Sequence, residues 1–156
     1  MTKSFSEKIK SKINEDLSPT RNLTGFHFKV VATIAIIWSL FQLWYASPFP
    51  FLFNFGMFKG LPARAIHLGF ALCLAFLIYP ISKGKKISII DIIISLLGTF
   101  ACLYIYFFYD QLVDRGGVLL SIDISENFSL PIELIIGSFG ILILLEATRR
   151  AIGLPL

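Results

Sequence analysis

The stretch SIIDIIISLLGTFACLYIYFFY, residues Ser88–Tyr109, decides how this chain folds. It carries one charge, Asp91, three residues past its start. Strands of a membrane barrel alternate polar and apolar residues, and this run does not. A bilayer core of about 30 Å takes about 20 apolar residues of helix. Backbone amides in lipid must be paired within their own segment, so the run is expected to be a transmembrane helix.

Three further runs have the same character: Val30–Ala46, Ala65–Ile81 and Leu130–Leu145. The whole chain is 56% hydrophobic and only 15% charged, against about 25% charged for a soluble domain. So much apolar surface cannot be hidden in one water-facing core. The expectation is an all-α membrane protein with one four-helix domain over residues 21–153. Its helices are expected at about 28–47, 64–81, 88–109 and 130–149. Val30–Ala46 is read as a retained span rather than a signal peptide. Twenty-nine residues precede it, and Pro48 and phenylalanines follow it in place of a small-residue cleavage site.

Charge gives the orientation. Lys3, Lys8, Lys10, Lys12, Arg21 and Lys29 precede the first span, Lys83, Lys85 and Lys86 lie in the second loop, and Arg149 and Arg150 end the fourth. The other two loops hold only Lys59, Arg64 and Arg115. The positive-inside rule then places both termini and the second loop in the cytoplasm, as an even number of spans requires. The basic residues need no nucleic acid to explain them. Cys73 and Cys102 lie within apolar runs with no CxxC partner, which argues against a disulfide or a zinc site.

Before the first span, Phe5, Ile9, Ile13 and Leu17 recur at four-residue spacing, with charges on the opposite face. Residues 1–20 read as a short amphipathic helix on the cytoplasmic membrane surface, or else as a solvated tail. In the first loop, Phe49, Phe51, Phe53 and Phe55 alternate. They read as an interfacial aromatic belt or as an apolar surface offered to a partner. Ser129 and Pro131 read as the cap and first turn of the fourth helix.

An ionisable residue at mid-bilayer marks function by default. None is found. Arg64, His67, Asp91, Glu133 and Glu146 all lie near helix ends, where they reach an interface by snorkelling. No catalytic cluster, cofactor motif or metal-ligand set is present, so no enzyme, cofactor or metal is expected. Small residues form stripes: Ala32, Ala35, Ser39 and Gln42 on the first helix, Ala65, Gly69 and Cys73 on the second, Gly98 and Cys102 on the third, Gly137 and Gly140 on the fourth. Such stripes allow close helix packing, within the bundle or against a larger partner.

A series of short motifs runs through the chain in order: Arg21-Asn22-Leu23-Thr24-Gly25, Trp38-Ser39-Leu40-Phe41-Gln42-Leu43, and Arg64-Ala65-Ile66-His67-Leu68-Gly69-Phe70-Ala71-Leu72. Tyr79-Pro80, Tyr109-Asp110 with Leu112-Val113 and Arg115, and Glu146-Ala147-Thr148-Arg149-Arg150-Ala151-Ile152-Gly153 follow. Over residues 21–153 this series resembles the four-helix small membrane part of tripartite ATP-independent periplasmic (TRAP) transporters, TAXI branch. The resemblance implies a non-catalytic scaffold in the bacterial inner membrane. An extracytoplasmic binding protein would capture a small organic anion. A large elevator-type membrane subunit would move it with a sodium or proton gradient. The small subunit would brace the large one and help dock the binding protein. Glu146, Arg149, Arg150, Arg64 and His67 are the expected partner contacts. In fused permeases the Glu-Ala-Thr-Arg-Arg stretch leads into the large domain; here the sequence ends at Leu156, as a separate subunit or as a fragment. The alternative is an autonomous small oligomeric permease or channel.

Overall fold

A computed structural model describes residues 20–21, 23–81, 87–125 and 128–152. Their elements are α1 (Phe26–Ala46), α2 (Phe49–Phe53), α3 (Gly60–Ile78), α4 (Ile89–Asp114), β1 (Ser121–Ser125), β2 (Phe128–Pro131) and α5 (Ile132–Ile152). The amphipathic helix expected over residues 1–20 lies, Thr20 apart, outside the described residues.

Among the described residues, α1, α3 and α4 are long and apolar enough to cross a membrane, which points to a multi-pass membrane protein. α5 matches α1 in length, at 21 residues, but not in chemistry. Glu133 stands in its first turn, and Glu146, Arg149 and Arg150 in its last turns. The uncharged stretch between them, Leu134–Leu145, covers only about 18 Å at 1.5 Å per residue.

The helix limits differ from those read off the sequence, each for a local reason. α3 begins at Gly60 rather than residue 64, because Pro62 fits a first turn, where its missing N–H costs nothing. α4 runs past Tyr109 to Asp114. Polar residues continue a helix freely, and it stops only where Gly116 and Gly117 take left-handed φ values of 57° and 94°.

Nor is the fold purely α-helical. Leu120, Ile122 and Ile124 alternate with polar residues, a strand pattern. β1 and β2 pair antiparallel, with Ser121 opposite Pro131 and Ile122 opposite Leu130. Ser129 and Pro131 therefore lie in β2 rather than in a cap and first turn, and α5 begins at Ile132. The Ile132 amide donates to the Leu120 carbonyl at 3.0 Å, tying the helix start to the hairpin.

The first loop folds around Trp44. α2 places Phe49 and Phe53 one turn apart, each 6.2 Å from the Trp44 ring, and Phe55 closes on it at 6.4 Å. Gly56, at φ 66°, lies so close that a Cβ would stand 2.9 Å from Trp44 Nε1. Phe49, Phe51, Phe53 and Phe55 all remain exposed.

α3 is the central helix. It packs against α4, α1 and α5, and 44% of its most apolar stretch is buried, against 28% for α4 and 6% for α1. The small-residue stripes explain the α3–α4 contact. A Cβ on Gly69 would meet Cys102 of α4 at 3.4 Å, and one on Gly98 would meet Leu72 of α3 at 3.3 Å and Ile143 of α5 at 2.9 Å. Thr99 Oγ1 donates to the Ser95 carbonyl at 2.8 Å, satisfying its hydroxyl inside the apolar contact. Leu72, Phe76, Cys102, Ile143 and Ala147 form the core shared by α3, α4 and α5. Val31, Leu74 and Leu77 form the smaller one between α1 and α3. Among the described residues α1 packs chiefly against α3, and Gly137 faces open space.

Candidate functional site: a buried arginine–aspartate clasp and an exposed polar cluster

α3 ends at Ile78 with carbonyls that have no helical partner. Tyr79 N donates back to Ala75 O at 2.8 Å, which satisfies one. Two arginines from distant segments reach three more, those of Leu77, Ile78 and Tyr79. Arg21 donates its backbone N–H to Ile78 O at 2.9 Å and Nη1 to Leu77 O at 3.3 Å. Arg150 Nη1 donates to Tyr79 O at 3.4 Å. The positive charges also suit the negative end of the helix dipole.

Those arginines share one carboxylate. Asp91 lies in the first turn of α4, where a helix N-terminus favours negative charge. Arg21 Nη2 donates to its Oδ2 at 2.6 Å, and Arg150 Nη1 to its Oδ1 at 2.7 Å. Asp91 is 0% exposed, and the two guanidinium side chains are 1% and 3% exposed. The snorkelling expected of Asp91 does not occur, because the two cations needed to hold it inside are brought to it. The Arg150 guanidinium also stacks 4.9 Å from the Phe76 ring.

Glu146 extends the clasp outward. Arg150 Nε and Arg149 Nε donate to its two carboxylate oxygens at 2.7 Å each. The i,i+3 and i,i+4 spacing with the acid leading, legible in the sequence, makes this possible. Arg149 remains 46% exposed, whereas Arg150 faces wholly inward. Three arginines thus meet two carboxylates, and Arg21 Nε and Arg150 Nη2 have no partner among the described residues.

At the opposite end of the bundle, Glu133 fastens the hairpin. It accepts from Arg115 Nη2 at 2.5 Å, from the Tyr104 hydroxyl at 3.2 Å and from the Leu120 amide at 3.0 Å. Nearby, Lys59 pairs with Asp110 across an exposed surface. That hydrogen bond holds the Lys59 ammonium above its ordinary pKa.

Arg64 and His67, on α3, lie towards the hairpin end, away from Glu146, Arg149 and Arg150. His67 Nδ1 accepts from Trp38 Nε1 at 3.4 Å and lies 2.9 Å from Gln42 Nε2. An indole nitrogen can only donate, so Nδ1 is the acceptor and the imidazole proton sits on Nε2. His67, Gln42 and Arg64 are exposed, and Arg64 has no hydrogen bond or ion pair among the described residues.

Sequence reasoning did not identify Asp91 and Arg21 as partners, because 70 residues separate them. It did not single out Trp38 and Gln42 as a pair either, although their i,i+4 spacing puts them on one face of α1. Among the described residues, no three His, Cys, Asp or Glu side chains come together as a metal site. Cys73 and Cys102 are free thiols. Among known proteins, no family model, curated protein or solved structure matches the chain.

Proposed function

We propose that this chain is a non-catalytic membrane scaffold subunit of a TRAP-type secondary transporter for small organic anions. It would brace a large elevator-type membrane subunit in the bacterial inner membrane and help dock an extracytoplasmic binding protein. The observation that carries this reading is the use of the buried carboxylates. Both oxygens of Asp91 are taken by arginines, and both oxygens of Glu133 by Arg115, Tyr104 and Leu120. A carboxylate held this way is unavailable to carry a proton or cation through the bilayer, so transport is left to a partner.

Four spans with both termini cytoplasmic belong to the same proposal. Arg21, five residues before α1, and Arg150, near the end of α5, grip one carboxylate, which supports entry and exit on the same side. Lys29, Lys83, Lys85, Lys86 and Arg149 belong to that end by sequence, as the positive-inside rule asks. α5 would cross by pairing its own charges: Arg150 turns inward, and Glu146 and Arg149 mark the cytoplasmic boundary. The hairpin and the phenylalanine-rich loop would face the binding protein.

The test is co-expression with a candidate large subunit and purification in gentle detergent. A stable complex, with anion uptake lost when this chain is deleted, is the expected outcome. Elution alone, with uptake unchanged by the deletion, would sink the proposal.

A further inference from the structure

α1 leans on α3 and leaves most of its surface uncovered, and the seam between them is not apolar. His67 stands seven residues into α3, about 10 Å along its axis, and Gln42 beside it is one turn from the end of α1. With Nδ1 taken by Trp38 and Gln42, Nε2–H is the donor the exposed His67 ring has left, and Arg64, three residues away on the same face, adds a guanidinium with no partner among the described residues. Lipid tails offer these donors no acceptor, and leaving them unmet at this depth costs free energy. Arg64 can snorkel towards headgroups; the His67 ring is too short and too deep to follow.

We infer that the α1–α3 seam, lined by Ala35, Ser39, Gln42, Arg64 and His67, receives a membrane-spanning helix of a different polypeptide that presents a carboxylate to Arg64 and His67. The inference rests on the scaffold reading for the identity of that polypeptide, and on the chemistry of the seam for everything else. The seam displays donors and a cation, so its complement is an acceptor that carries negative charge. A second copy of this chain does not supply one: a two-fold contact through the seam sets the patch against itself, with the same cation and donors on both sides. Ala35 and Ser39 are small enough for a helix to approach closely, and the Ser39 hydroxyl is already satisfied by Ala35 O at 2.9 Å.

The experiment places the photocrosslinker benzoylphenylalanine at Ser39 or Leu68 in the full chain, in native membranes, with Leu97 on α4 as control. The expected result is an adduct from Ser39 and Leu68, weak or absent from Leu97. Its cross-linked peptide belongs to a membrane span of another protein and contains Asp or Glu. Arg64→Glu lowers the yield at least tenfold, and replacing the partner's acid with Arg restores it. Arg64 is exposed and has no partner among the described residues, so unchanged elution of the Arg64→Glu protein confirms its fold. Equal yield from Leu97, a dimer adduct, lipid adducts alone, or indifference to Arg64→Glu would overturn the inference. An adduct to a protein that is not a transporter subunit keeps the seam and removes the scaffold reading. A purified transporter complex that cross-links only through α4 or α5 does the reverse.

Discussion

Asp91 and Arg150, 59 residues apart in the chain, meet at 2.7 Å in the interior of the protein. With Arg21 on the other carboxylate oxygen, one side chain of α4 fixes the approach to α1, the end of α3 and the end of α5. Desolvating such charges is costly, and their attraction roughly offsets that cost only while every partner is present.

Asp91→Asn should therefore be far more damaging than its size suggests. It leaves the buried Arg21 guanidinium without a counter-charge and Arg150 with Glu146 alone, a loss of about 3–5 kcal/mol. The thermal midpoint in detergent should fall steeply and the level in membranes should drop. Replacing Arg21, Asp91 and Arg150 together with Met, Leu and Met should cost less than Asp91→Asn alone. A triple variant worse than the single one would mean that the ion pairs themselves, and not the stranded charges, dominate.

Glycine substitutions should separate packed helix faces from open ones. A methyl on Gly98 meets Ile143 at 2.9 Å and Leu72 at 3.3 Å. Overpacking of about 1–3 kcal/mol then outweighs the helix propensity gained. Gly137 has nothing within 4 Å of an added Cβ, so Gly137→Ala should stabilise by up to about 1 kcal/mol. Thermal midpoints should move in opposite directions. Matching shifts would contradict the packing described.

Glu133→Ala should loosen the hairpin end while leaving the clasp intact. It removes the acceptor of Arg115, Tyr104 and the Leu120 amide together, at about 1 kcal/mol or more for these partly exposed donors. Limited proteolysis should cut faster between Arg115 and Pro131, with the Asp91 end unaffected. Unchanged cleavage would show that strand pairing alone holds the hairpin.

The side of the membrane reached by each end of α5 can be read by labelling. In a chain with Cys73→Ala and Cys102→Ala, Val118→Cys and Ile152→Cys are both on exposed positions. An impermeant maleimide added to whole cells should label the first and not the second, until the membrane is broken. Equal labelling of both from outside would mean that α5 does not span.

Three helices long and apolar enough to cross a membrane were legible because their signal is local. The charges at Glu146, Arg149 and Arg150 likewise fall on one helix face by spacing alone. The hairpin was missed although Leu120, Ile122 and Ile124 alternate in plain view, because a five-residue strand among loop residues declares itself only with its partner. The clasp was hidden for a different reason. An acid near a helix start looks like any interfacial charge, and only the fold brings Arg21 and Arg150 to it. The same holds for His67, whose Nε2 proton follows from the Trp38 donor on another helix.

Uptake into proteoliposomes tests the central claim most directly. Four preparations are compared under an imposed sodium or proton gradient: this chain alone, the candidate large subunit alone, the two together, and the two with the binding protein and its organic anion. A scaffold subunit gives no flux by itself and full gradient-driven uptake only in the complete set. Flux through vesicles holding this chain alone, or full uptake by the large subunit without it, would contradict the account.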